Sequence, residues 1–97
     1  MAVCFEWDPT KAAANVRKHG VSFELAAQAF ADPFALTEQD RIEGGELRWQ
    51  TLGMAQGVLL LLVAHTIRDE EADEVIRIIS ARPATRPERK RYEQEAR

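Results

Sequence analysis

Residues 58–67 read VLLLLVAHTI, the most apolar stretch of the chain, with no charged residue inside it. Its unbroken apolar part, Val58 to Ala64, is far shorter than the about 20 residues that a helix needs to cross a bilayer. It lies between a Gln56-Gly57 pair and an acidic run at 69–74. A short apolar run bounded by turn signals reads as a strand buried on both faces, at the centre of a sheet.

Working outward, Leu47 to Met54 reads as the preceding strand, and Gln56-Gly57 as a tight turn that makes the two antiparallel. Asp69 to Glu74 reads as an acidic loop and Val75 to Ala81 as the last strand, with Phe34 to Thr37 a weaker strand upstream. Near the start, Val3 to Trp7 alternates as a short strand does. Asp8-Pro9 then opens a helix, the aspartate as cap and the proline in the first turn, and Gly20 closes it. Ser22 caps a second helix whose Phe23, Ala26, Ala27 and Phe30 share a face, and Asp32-Pro33 stops it. Thr85 and Glu88 form a capping box for a last helix. The order predicts one α+β domain over residues 1–97: a small antiparallel sheet, two N-terminal helices and one C-terminal helix, with the helices covering one face.

Apolar residues make up 45% and charged residues 30%, a balance that argues against disorder. Met1 to Phe5 is too short for a secretory signal and is followed at once by Glu6 and Asp8. The single cysteine, Cys4, cannot make an internal disulfide, so the cytoplasm is the expected compartment and no membrane is expected as a partner. The net charge of −3 at first argues against nucleic acid. The charge is uneven, however. Residues 21–81 carry 4 basic and 11 acidic side chains, whereas residues 82–97 carry 6 basic and 3 acidic ones. The local field decides where a phosphate can sit, so the two ends of the chain are the candidate anion-binding parts.

Two blocks of sequence resemble a known family. Phe5-Glu6-Trp7-Asp8, Asn15 and the run Lys18-His19-Gly20-Val21-Ser22-Phe23 resemble the N-terminal signature of BrnT toxins. Ile78-Ile79-Ser80-Ala81-Arg82, Ala84-Thr85 and the basic segment from Glu88 to Tyr92 resemble their C-terminal signature. The resemblance implies a RelE-like fold, ribonuclease activity that blocks translation, and neutralisation by a BrnA-type antitoxin, through which alone DNA would be contacted. The 69–74 segment departs from the family, being longer and more acidic than the short glycine-containing turn expected there.

RNA carries its own nucleophile, the 2′-hydroxyl. Cleavage needs a base for its proton, cations for the phosphorane and an acid for the leaving oxygen. Imidazole suits either proton transfer. The catalytic candidates are Lys18, His19, His65 and Arg82. Lys18 and His19 end the first helix, where they could equally offset its dipole. His65 shares a strand face with Leu59, Leu61 and Val63; it is either a structural histidine or, if that face opens at its rim, a substrate contact. Arg82 stands where a strand meets a capped helix. Arg77 alternates with Ile76 and Ile78 and points out of the core, towards RNA or towards the acidic loop.

Arg86, Arg89 and Tyr92 are the remaining RNA-binding candidates. Arg89 and Tyr92, three residues apart, would share a face and could hold a phosphate and stack a base; the alternatives are a solvated charged face and a tyrosine that packs the helix down. Trp49 and the edge strand from Phe34 offer surface for a partner, although a tryptophan is more often core. Cys4, His19 and His65 lack metal-ligand spacing, and Gly44-Gly45 and Gly57 are isolated turn glycines, so neither metal nor cofactor is expected. A non-catalytic partner-binding module within a DNA-bound repressor complex is the alternative to an endoribonuclease.

Overall fold

A computed structural model describes residues 2–95. The order is β1 (Val3–Glu6), α1 (Pro9–His19), α2 (Phe23–Gln28), a 3-10 turn (Ala29–Ala31), β2 (Leu36–Glu43), β3 (Glu46–Ala55), β4 (Leu59–Glu70), β5 (Asp73–Pro83) and α3 (Arg86–Glu95). This is the expected α+β class. The local signals act as their chemistry requires. The Asp8 carboxylate accepts from the Thr10 and Lys11 amides at 2.8 and 3.3 Å. Gly20 takes a left-handed φ of 71° and its N–H returns to the Val16 carbonyl. Ser22 Oγ accepts from the Leu25 amide, and Thr85 and Glu88 satisfy each other's amides.

The five strands lie in the order β1-β5-β4-β3-β2, so the apolar stretch read first is indeed the middle strand. It begins at Leu59; Val58 belongs to the turn and is 77% exposed. The hairpins β2–β3, β3–β4 and β4–β5 are antiparallel, whereas β1 pairs β5 in parallel, from Val3↔Glu74 to Glu6↔Arg77. The 69–74 segment is no loop. Both of its flanks pair across the hairpin, Asp69 with Glu74 and Glu70 with Asp73, leaving a two-residue turn in which Glu71 has a φ of 54°. Arg68 neutralises part of this run. It holds Glu6 with two nitrogens at 2.8 and 2.9 Å and Glu70 at 2.7 Å.

The helices do not all cover one face. Leu61, Val63, Ile76, Ile78 and Ala81 pack with Phe23, Ala26 and Ala29 on the side of α1 and α2. Leu52, Leu60 and Leu62 pack with Tyr92 of α3 on the opposite side. A strand buried on both faces requires cover on both, and alternation along β4 supplies a core to each. Gly53 is obligatory for the first layer, because a Cβ there would run into the Ala29 carbonyl.

Candidate active site

Two bulges shape the sheet where the charges gather. In β5, Ala64 faces Ser80 but His65 faces Ile78, so Ile79 is an extra residue. In β2, Gln39 pairs Trp49 but Arg41 pairs Arg48, which leaves Asp40 extra. The first bulge shifts the phase of β5. Ile78 and Ala81 both enter the core beside α1 and α2, and Ser80 and Arg82 turn to the opposite face. The β5 edge beyond Arg77 has no strand beside it, because β1 ends at Glu6.

Asn15 takes the place of that strand. Its amide nitrogen donates to the Ala81 carbonyl at 2.8 Å and to the Val21 carbonyl at 2.9 Å, and its oxygen accepts from the Ala81 N–H at 3.1 Å. The side chain is buried with its donors and acceptor engaged. It fixes the last turn of α1 against the open edge of β5. Lys18 and His19 thereby join Arg82 around one cleft of about 360 Å³, floored by Leu62 and Ala64, with Ser80, Gln50, Asp40 and Arg41 completing its walls. Asn15 and Ser80 stand in the two family-like blocks of sequence without a role legible there, and no sequence signal marks Asp40, Arg41 or Gln50.

Arg82 is held in place. Its two terminal nitrogens meet both Glu88 oxygens at 2.8 and 2.9 Å, while the same Glu88 accepts from the Thr85 amide at the start of α3. The hydrogen bonds to Arg82 hold the Glu88 carboxyl down to about 2, against a smaller burial effect, and in return raise the Arg82 guanidinium. Both therefore stay charged at any physiological pH.

The remaining candidates lie elsewhere. His65 is 0% exposed, so its face does not open at the rim, its place among the catalytic candidates is corrected, and of its two readings the structural one holds. Its Nε2 is 2.7 Å from the Thr51 hydroxyl, itself 2.8 Å from that of Thr37; its Nδ1 is 3.3 Å from the Thr66 carbonyl; and Phe30 meets the ring edge-on at 4.9 Å. Burial pushes its pKa down to about 4, so it is a neutral core residue. Tyr92 is also corrected. It is 9% exposed and donates its hydroxyl to Asp32 at 2.5 Å, so its ring cannot stack on a base. Burial and then the Asp32 bond push its hydroxyl up to about 12. Burial opposes the charge on Asp32, but the Tyr92, Met54 and Phe34 donors together hold it below the usual carboxylate range.

Arg77 is exposed next to Glu6 and does not line the cleft; it sits on the cleft face of the sheet, opposite Thr66. Arg86 and Arg89 are exposed on α3, outside the cleft. Trp49 is half-buried, across from His65. A larger cleft of about 580 Å³ is bordered by Phe34, Met54, Gln56 and Tyr92, and its one charged residue, Asp32, is already engaged. It offers an anion nothing.

The comparisons with known proteins give the family and the fold. A family model described as the ribonuclease toxin BrnT of type II toxin–antitoxin systems matches residues 7–88, from Trp7 through Glu88, and so spans every element that borders the cleft. No curated protein matches the chain. Among solved structures, the crystal structure of the Brucella abortus ribonuclease toxin BrnT is similar in fold. It has a TM-score of 0.59 and 20% identity, over 89% of this chain and 99% of that one.

Proposed function

Because the chain belongs to the BrnT family of ribonuclease toxins of type II toxin–antitoxin systems, we propose that it is a metal-independent endoribonuclease whose active site is the cleft of Lys18, His19 and Arg82. One observation carries the reading: three groups suited to phosphoryl-transfer chemistry, from α1 and from β5, converge on one cleft of an otherwise acidic protein. In the proposed reaction, the 2′-hydroxyl of RNA loses its proton to a base and its oxygen bonds to the adjacent phosphorus. The bond from phosphorus to the 5′ oxygen breaks, and that oxygen takes up a proton. The products are a 2′,3′-cyclic phosphate and a 5′-hydroxyl. His19 carries a proton in this scheme. Lys18 and Arg82 stabilise the charge on the phosphorane, the kind of preorganised contact worth about 10²–10³ in rate. Arg77, Arg86 and Arg89 are exposed cations that can follow the RNA backbone beyond the cleft.

Such an activity in the cytoplasm would degrade the cell's own messages and stop translation. A cognate antitoxin of the BrnA type covers the cleft in this reading, and any contact with DNA is made through that antitoxin. The test incubates the purified protein with RNA in EDTA. Cleavage to cyclic-phosphate ends supports the proposal. Cleavage abolished by EDTA and restored by magnesium rejects the mechanism, and no cleavage by the folded protein rejects the function. Expression alone should arrest growth, and co-expression of the antitoxin should relieve it.

A further inference from the structure

The cleft contains two groups to which the scheme above gives no role, and they share a wall. Asp40 and Gln50 come from β2 and β3, across from the cations of α1 and β5. Asp40 is there because of the bulge in β2. With Gln39 paired to Trp49 and Arg41 to Arg48, the extra residue turns to the cleft face together with Arg41. The residue is exposed like its neighbours on this edge strand, and its side chain, 28% exposed, borders the cleft. The nearest cation, Arg41, stands 3.6 Å away, beyond good hydrogen-bond reach. Among the described residues nothing donates to the Asp40 carboxylate, and no hydrogen bond engages the Gln50 amide.

A carboxylate only accepts hydrogen bonds, and it repels a phosphate. In a cleft that holds RNA it can accept from the 2′-hydroxyl or from the part that offers N–H groups, which is a base, and beside Gln50 the base is the better match. Single-stranded RNA exposes its Watson–Crick edges to such contacts. Guanine alone places two donors side by side there, N1–H and the N2 amino group, matching two carboxylate oxygens. Adenine and cytosine offer one amino group beside a ring-nitrogen acceptor, which repels the second oxygen. Uracil offers one N–H between two acceptors. The Gln50 amide can donate to the remaining guanine group, O6.

We infer that Asp40 and Gln50 read the base and make this cleft selective for guanine in single-stranded RNA. The inference rests on the ribonuclease reading above, and the experiment separates the two. The full chain is titrated with fluorescent oligouridylates that carry one central deoxyguanosine, deoxyadenosine or deoxycytidine; lacking the 2′-hydroxyl there, they bind without being cut at that site. The all-ribose versions are then used for cleavage. The wild-type protein should bind the guanine oligonucleotide roughly ten-fold more tightly than the others, the discrimination expected of one bidentate contact. Asp40→Asn should abolish that preference, and Gln50→Ala should reduce it. Equal binding of all three bases by the wild type, or an unchanged preference in Asp40→Asn, overturns the inference. A fall in kcat that is equal for every base, with the preference intact, assigns Asp40 to proton transfer and overturns it too. Guanine-selective binding without cleavage leaves the inference standing and removes the ribonuclease reading; cleavage without base preference does the reverse.

Discussion

Asn15 on α1 holds both backbone groups of Ala81 on β5, acting as a one-residue strand on an edge that β1 leaves open. Asn15→Ala strands the Ala81 N–H and the carbonyls of Ala81 and Val21. Unsatisfied buried groups cost about 1–3 kcal/mol each, and partial relaxation brings the expected loss to roughly 2–4 kcal/mol. Urea unfolding measures it. A loss under 1 kcal/mol would mean that water takes over the contacts. RNA cleavage should fall further than the folded fraction does, since Lys18 and His19 lose their register with Arg82.

His19→Ala and Arg82→Ala should each lower cleavage by about 10²–10³ while leaving the fold intact. Both side chains border the cleft rather than the core, so circular dichroism and unfolding midpoints should change little. Two well-folded variants with near-wild-type cleavage would move the site elsewhere.

Glu88 is expected to act through Arg82. Glu88→Gln keeps an acceptor for the Thr85 amide but loses the charged, two-point grip on the guanidinium. The pair is partly exposed, so little stability should be lost. Cleavage should fall by about ten-fold, and the same change added to Arg82→Ala should do nothing further. Such non-additivity is the mark of two residues acting as a unit. Additive losses would show that Glu88 works independently.

Acid should loosen the fold through His65. Its pKa is about 4 folded and 6.5 unfolded, so between these values the unfolded chain binds more protons and stability falls as pH falls. The full effect is roughly 3 kcal/mol, lost between about pH 6.5 and pH 4. Unfolding free energies at pH 7.5, 6 and 5 measure the slope, and His65→Gln should flatten it. An equal slope in that variant would assign the effect to other groups.

The parts of this fold that were legible in the sequence are those decided within a few residues. The caps at Asp8, Ser22 and Thr85, the stop at Gly20 and the turn at Gln56-Gly57 depend on neighbours along the chain, and each forms as its chemistry predicts. Counting by twos set His65 on the face of Leu61 and Val63, but nothing in β4 alone says that α1 and α2 cover that face. The same counting would put Arg82 with Ile76 and Ile78 in the core; only the extra Ile79 frees it, and a bulge has no signature in an apolar run. Tyr92 finds Asp32 sixty residues away, a pairing that helical spacing from Arg89 could not reveal. At the cleft, Lys18, His19 and Arg82 were chosen from residue chemistry and the family resemblance. Their convergence depends on Asn15, whose partner is likewise remote.

The clasp between Asn15 and Ala81 joins residues 66 apart in the chain. A protein made from its N-terminus forward has α1 in hand early, with Lys18 and His19 already on it, but no edge of β5 for that helix to dock against. Arg82 then waits for Glu88, which belongs to the helix that follows. A chain that stops short of β5 and α3 therefore cannot carry a complete cleft. By the order of synthesis alone, the cleft stays incomplete until β5 and α3 have been made and folded.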